Sequence, residues 1–203
     1  MIGKRNGRAA TESLRERVAQ ESARIMIEHG IVDFGLAKRK AAERLAVRSA
    51  GALPSNAQIE ECLAERQRIF EPRAHGARVD RMRRTAAAVM QMLAEFEPRL
   101  VGPVLAGTAT SNAAIELHVF AATPEIVAAT LSANAVTFGE CERRYRYGGG
   151  KNARVPGFAF SESSERVVVL AFRENDLREA PLSPVDGRPM QRASLARLAT
   201  MLM

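Results

Sequence analysis

Apolar residues in the first half of the chain recur every three or four positions, which is the spacing of one face of a helix. The pattern predicts helices over residues 11–29, 33–47, 55–70 and 79–96. The first three begin at residues whose side-chain oxygens can cap a helix: Thr11, Asp33 and Ser55. Gln58 stands three residues after Ser55, as in a capping box. Pro72 and Gly76 predict a break before the fourth helix.

In the second half the pattern changes to alternation, which is typical of strands. Residues 115–120 alternate cleanly and predict a strand with Glu116 and His118 on the same face. Apolar or alternating runs predict further strands over 100–106, 136–147, 158–160 and 166–172. Helical spacing returns over 124–134 and 191–202. The charged segment 136–147 is typical of an edge strand.

This order of elements predicts an α+β protein. An N-terminal basic helical region, residues 1–76, would precede a mixed β-sheet domain with flanking helices, residues 77–203. The 203 residues are 46% hydrophobic and 26% charged, which is the composition of a globular chain with a buried core.

The positive charge is concentrated in the helical half. Residues 1–90 hold 18 Lys and Arg against 11 Asp and Glu, whereas residues 91–203 hold 12 of each. Such a surface can attract phosphates or acidic partners, and Lys38, Arg39 and Lys40 are its candidate contacts. A small helical bundle with a solvated Arg-rich surface is the alternative.

Two features indicate a cytoplasmic protein without a membrane partner. The longest uncharged run, Leu100 to Ile115, is short and interrupted by glycine and proline, and basic Met1 to Arg8 lacks the apolar core of a secretory leader. Cys62 and Cys141 cannot by themselves build a disulfide framework or a four-ligand zinc site, so we expect free thiols.

Small residues followed by a polar strand make residues 105–119 the most informative stretch for chemistry. Small residues at Gly107-Thr108 allow a backbone to approach a phosphate and offer it N–H groups. Glu116 and His118, two apart on one strand, point the same way and can face a bound ion or substrate.

This stretch resembles the nucleotidyltransferase superfamily (the polymerase-beta-like fold), in which a strand leads into Gly-Gly or Gly-Ser and a later strand carries two acidic residues one apart. Gly107-Thr108 stands at the Gly-Ser position, and Glu116 and His118 at the acidic ones. The chain is also similar to a family of small bacterial nucleotidyltransferase-like proteins.

The resemblance implies a nucleotidyltransferase-like sheet domain that binds a nucleotide or a nucleotide-bearing polymer. Gly107, Thr108 and Ser111 would lie against the phosphates, Glu116 and His118 would be catalytic, and Glu116 would hold Mg²⁺ or Mn²⁺. The metal motif is degenerate, because His is a poor Mg²⁺ ligand.

Two further motifs bear on the choice of function. Gly148-Gly149-Gly150-Lys151 lacks the Ser or Thr that completes a phosphate loop, so it predicts a flexible hairpin connection. The alternative function, from a different class, is a non-catalytic interaction module that contacts nucleic acid or an acidic protein through Lys38, Arg39 and Lys40 on its basic helices.

Overall fold

The computed structural model describes residues 2–203, with side chains from Ala9 onward. The expectation about Met1 to Arg8 therefore falls outside the described side chains. The chain forms two compact units, each with its own core. The helical unit comprises residues up to 75 with 110–112 and 184–186, and the sheet unit comprises 76–109, 113–183 and 187–203. The α+β class is confirmed.

Three helices build the helical unit: α1 (Ile2–Glu28), α2 (Phe34–Arg44) and α3 (Asn56–Phe70). Asp33 accepts the Leu36 N–H at 2.5 Å and caps α2, and Ser55 and Gln58 form the predicted capping box at α3. The prediction that α1 begins at Thr11 is wrong, because the polar but helix-compatible residues before it continue the same helix. The core consists of small and aliphatic side chains, among them Ala19, Ala23, Met26, Ile59 and Leu63.

Helix α4 (Pro72–Met92) differs from its prediction at both ends. Pro72 starts the helix rather than breaking the chain, since a proline fits the first turn, where its missing N–H costs nothing. Gly76 lies within α4, at a position where an added Cβ would have no heavy atom within 4 Å, so the helix continues through it. After Met92 the chain tightens into a short 3₁₀ turn at Ala94–Phe96.

The sheet unit contains five strands in the order β1-β2-β5-β4-β3. Their bounds are β1 Arg99–Val101, β2 Ile115–Phe120, β3 Gly139–Arg146, β4 Asn152–Glu162 and β5 Glu165–Phe172. The β2–β5 pair is parallel and the other pairs are antiparallel, so the sheet is mixed. The strand predicted at 115–120 and the edge position of the charged strand are confirmed.

The helices of this unit complete the order. They are α5 (Gly102–Ala106), α6 (Pro124–Ala133) and α7 (Leu195–Met201). The strand predicted over 100–106 is wrong beyond Val101, because Gly102 at φ +69° turns the chain and Pro103 begins α5. Within residues 2–203, no helix is long and apolar enough to cross a membrane.

The two faces of the sheet have different neighbours. One face packs into the main core with α4 and α7, through side chains such as Leu93, Leu100, Leu117, Val169 and Leu198. The other carries a smaller cluster that includes Phe120, Tyr145, Val155, Leu170 and Phe172. Partly buried Leu177 and Met190 pack against this second cluster.

Strands β3 and β4 extend beyond the rest of the sheet as a two-stranded hairpin, here called the β-ribbon (residues 142–156). Strand β5 pairs with β4 only over Gly157–Glu162, whereas the pairing of β3 with β4 continues to Asn152. The predicted hairpin connection lies at its tip, where Gly149 and Gly150 adopt positive φ. The sequence pattern predicts only residues 158–160 of β4, because most residues of the ribbon are polar and do not form an apolar run.

We expect Gly157→Ala to destabilise the protein by roughly 1–3 kcal/mol, the usual cost of overpacking. A Cβ at Gly157 would lie 2.5 Å from the backbone oxygen of Val169 and 2.8 Å from Leu170 Cδ2. The matched control is Gly139→Ala in the neighbouring strand, where a Cβ would meet nothing within 4 Å. Urea unfolding measures both variants, and equal stability of the two would contradict the close packing at Gly157.

Candidate functional site

Glu116 lies on the second face of the sheet, at the start of β2, with its side chain 16% exposed. Its carboxylate forms an ion pair with Arg143, whose side chain is 42% exposed. Arg143 belongs to β3, and two strands separate β3 from β2, so the guanidinium reaches across the sheet. Gly102 faces Glu116, since a Cβ built there would lie 3.6 Å from Glu116 Oε2.

His118 lies on the same face as Glu116, as the alternation predicts, but it is fully buried. Its Nε2 lies 3.0 Å from the Tyr145 hydroxyl and its Nδ1 3.2 Å from Arg192 Nε. A guanidinium only donates hydrogen bonds, so Nδ1 is the acceptor and the ring proton is on Nε2. The Nε2–H of His118 therefore donates to the Tyr145 oxygen.

Burial and charge keep the imidazole neutral. Burial first, and then the cations of Arg192 and Arg143, hold the pKa of His118 well below its ordinary value. Burial likewise raises the pKa of Tyr145, which Arg143 also hydrogen-bonds. His118 thus orients Tyr145 and Arg192, and its buried ring has no path to a substrate in this structure.

Arg192 connects the sheet to the segment that covers its second face. Its guanidinium carbon lies 5.0 Å from the Phe120 ring centre and 5.3 Å from that of Phe172, within cation–π range. Its Nη1 donates to the carbonyl oxygens of Asp176 and Leu177 at 3.0 and 3.3 Å. Burial lowers the pKa of Arg192. One arginine therefore holds two aromatic rings and a turn of backbone together.

The predicted phosphate-binding residues have other surroundings. Gly107, at φ +81°, ends α5, and its N–H and that of Thr108 both donate to the Pro103 carbonyl oxygen. A Cβ at Gly107 would meet Arg83 Nη2 at 3.6 Å, and no atom of Glu116 within 4 Å. Thr108 is buried, and Ser111 is exposed and belongs to the helical unit. Glu116 is therefore next to Gly102, and the structure does not bring Gly107 to it.

The donor set does not fit Mg²⁺ or Mn²⁺, which take several oxygen ligands. Glu116 is engaged by Arg143, and both nitrogens of His118 are hydrogen-bonded. Over the part of the chain that the structure describes, no three His, Cys, Asp or Glu side chains are grouped as metal ligands. Cys62 and Cys141 are free thiols.

The predicted basic contacts on α2 differ in their surroundings. Lys38 Nζ donates to the Pro54 carbonyl at 3.0 Å, and burial lowers its pKa, so this amine has a structural role. Arg39 and Lys40 are exposed. Lys38, Arg39 and Arg48 border a surface hollow of about 540 Å³, whose apolar lining is Ala42, Val47 and Leu53.

Comparison of the chain with protein-family models, curated proteins and solved structures gives no match. The candidate site therefore rests on its own geometry.

Sequence reasoning missed four residues of the site: Gly102, Arg143, Tyr145 and Arg192. The signal at Gly102 was a glycine and a proline inside an apolar run, which favours a turn over a continuous strand. Arg143 and Tyr145 are two residues apart, a spacing that places both on one face of a strand. Nothing local to Arg192 indicates that it packs against His118, 74 residues away.

We expect the stability of the protein to fall as the pH drops below about 6.5, the ordinary pKa of histidine. Below that pH His118 is protonated in the unfolded chain but stays neutral in the folded protein. The free energy of unfolding therefore falls by up to about 1.4 kcal/mol per pH unit. Urea unfolding between pH 7.5 and 5 measures this slope. His118→Gln is expected to be less stable at pH 7.5 and to have a shallower slope. Exposed His29→Gln is the control, and an equal change of slope in both variants would contradict the assignment.

Proposed function

We propose that the sheet unit binds a nucleotide or a nucleotide-bearing polymer through Arg143, at the corner formed by Glu116 and Gly102. The observation that carries the proposal is a partly exposed guanidinium held in place by a carboxylate beside a residue without a side chain. The nucleotidyltransferase resemblance, which concerns the same strand, gives the class of ligand.

Arg143 has the chemistry that phosphate recognition needs. A guanidinium presents paired N–H donors that match phosphate oxygens two at a time. Burial acts to lower the pKa of Arg143, but the attraction of Glu116, with Tyr145 and Cys141, leaves the pKa raised, so the guanidinium stays charged. Glu116 and Tyr145 orient the side chain before the ligand arrives, which reduces the entropy lost on binding.

The proposed role is binding without metal-dependent transfer of a nucleotidyl group. Transfer chemistry at this strand would use Glu116 and His118 as ligands or general base, and both are already engaged by cationic or phenolic partners. Glu116 and His118 are then positioning residues: Glu116 holds Arg143, and His118 holds Tyr145.

Isothermal titration with ATP, GTP, CTP and UTP, each with and without Mg²⁺, tests this proposal. We expect at least one nucleotide to bind without requiring Mg²⁺. Arg143→Gln should weaken that binding about 10- to 100-fold, the loss of one or two charge-assisted hydrogen bonds. Arg178→Gln removes the same charge from an exposed position elsewhere in the sheet unit and is the matched control. Silence for all four nucleotides, or equal loss in both variants, would refute the proposal.

A second candidate function has its own support in the helical unit, where Arg39 and Lys40 are exposed on α2 and Arg39 borders the hollow. We propose, as the alternative, an interaction module that contacts nucleic acid or an acidic protein through this surface. Arg48 would contribute, whereas Lys38 supports the loop at Pro54.

A gel shift with a mixed-sequence oligonucleotide and a pull-down with a poly-glutamate resin test this alternative. We expect Arg39→Glu with Lys40→Glu to abolish binding at physiological salt, since both changes reverse charge at exposed positions. The control is Arg15→Glu with Arg17→Glu on α1, which changes the net charge equally. Binding that survives in the α2 variant would count against this surface.

A further inference from the structure

The β-ribbon carries a concentration of positive charge, although residues 91–203 as a whole have equal numbers of basic and acidic residues. Residues 142–156 contain five Lys or Arg and a single carboxylate, Glu142. The cations are Arg143, Arg144, Arg146, Lys151 and Arg154. They belong to a hairpin whose strands pair with each other beyond the end of β5.

The pleat divides these residues between two faces. Arg143 opposite Val155 and Tyr145 opposite Ala153 occupy the face that continues into the His118 network. Arg144 opposite Arg154 and Arg146 opposite Asn152 occupy the outer face. Arg144, Arg146 and Arg154 are exposed there, as is Lys151 at the tip. The outer face therefore presents three cations, and Lys151 at the tip adds a fourth.

Two of these cations lie directly opposite each other. Arg144 and Arg154 are partners in the ladder, and like charges at directly opposite positions destabilise a strand pair. Arg154 gains some compensation from Glu142 at 3.2 Å. The arrangement costs stability in the isolated protein and becomes favourable when an anion lies across both side chains.

We propose that the outer face of the β-ribbon binds the phosphate backbone of double-stranded DNA, independently of base sequence. A two-stranded ribbon fits the B-DNA major groove, which is about 12 Å wide, and arginine is suited to phosphate. The inner face, with Arg143, stays directed at the sheet. The inference concerns a surface separate from the nucleotide site of Arg143.

Other anionic partners fit this surface less well. A lipid surface favours exposed aromatic or aliphatic side chains beside the cations. The large hydrophobic side chains exposed among the described residues all lie outside the ribbon, at Val32, Leu53, Ile69, Phe70, Ile126 and Met203. Double-stranded RNA has a deep, narrow major groove that would not admit the ribbon. A glutamate-rich protein lacks the regular spacing of phosphate charges along a duplex.

Fluorescence anisotropy with a labelled 20-base-pair DNA duplex tests the proposal over a series of KCl concentrations. We expect Arg144→Gln with Arg154→Gln to weaken binding at 50 mM KCl about tenfold or more. The slope of log affinity against log salt should fall by about 2, one for each lost phosphate contact. The control, Arg178→Gln with Arg197→Gln, removes two exposed charges elsewhere in the sheet unit and should keep the slope.

Arg144→Glu separates binding from folding. It replaces the Arg144–Arg154 opposition by a pair of opposite charges, so its thermal midpoint should equal or exceed that of the unaltered protein while DNA affinity falls. Titration measures the binding of single nucleotides and anisotropy measures the binding of the duplex, so failure of the nucleotide proposal and failure of this one give different results.

Three results would overturn the proposal. The first is no measurable binding of the duplex at 50 mM KCl. The second is an equal loss of affinity and slope in the Arg178→Gln, Arg197→Gln control, which would mean that only net charge matters. The third is equal or tighter binding of a matched RNA duplex, of vesicles with anionic phosphatidylserine, or of poly-glutamate.

Discussion

The hydrogen bond between His118 and Tyr145 is the contact on which the candidate site depends. It joins β2 to β3, which are separated by β5 and β4 in the sheet. Gly157 of β4 lies between these strands, opposite Leu170 and Cys141. A Cβ there would lie 2.5 Å from the backbone oxygen of Val169, so this row of the sheet has no space for a further side chain.

The rest of the network follows from the need of a buried imidazole for hydrogen-bond partners. A polar ring sealed from water is costly unless each nitrogen has a partner, and Tyr145 and Arg192 supply the two. Arg192 in turn brings the carbonyls of Asp176 and Leu177 onto the sheet, and Tyr145 shares its hydroxyl with Arg143. Arg143 is consequently held against Glu116 by the ion pair and by a hydroxyl that His118 orients. Histidine usually serves as an acid or base near physiological pH, but His118 serves here as a fixed hydrogen-bonding group.

Local pattern was sufficient for most elements and insufficient for the site. Alternation predicts β2 and places Glu116 and His118 on one face, because the face of a strand residue follows from its position in the local sequence. The turn at Gly102 was not predicted, because a proline that interrupts a strand can also begin a helix, as Pro103 does in α5. The continuation of α4 through Gly76 was not predicted either, because a glycine at an open position of a helix does not end the helix. The resemblance assigns Gly107 to the site, whereas in the fold Gly102 is the glycine that faces Glu116. Arg192 could not be assigned, because its partners are distant in sequence. The positive charge of the ribbon does not show in the net charge of residues 91–203, because carboxylates elsewhere in that half balance it.

The ionisation state of His118 tests this account most directly. Nitrogen NMR of the histidine side chains, with His118 assigned through a His118→Gln variant, reports which ring nitrogen carries the proton. We predict a neutral ring protonated on Nε2, unchanged between pH 7.5 and 5 for as long as the protein stays folded, because Arg192 occupies Nδ1. A ring that titrates with a midpoint near 6.5, or one protonated on Nδ1, would contradict the buried network and with it the fixed position of Arg143.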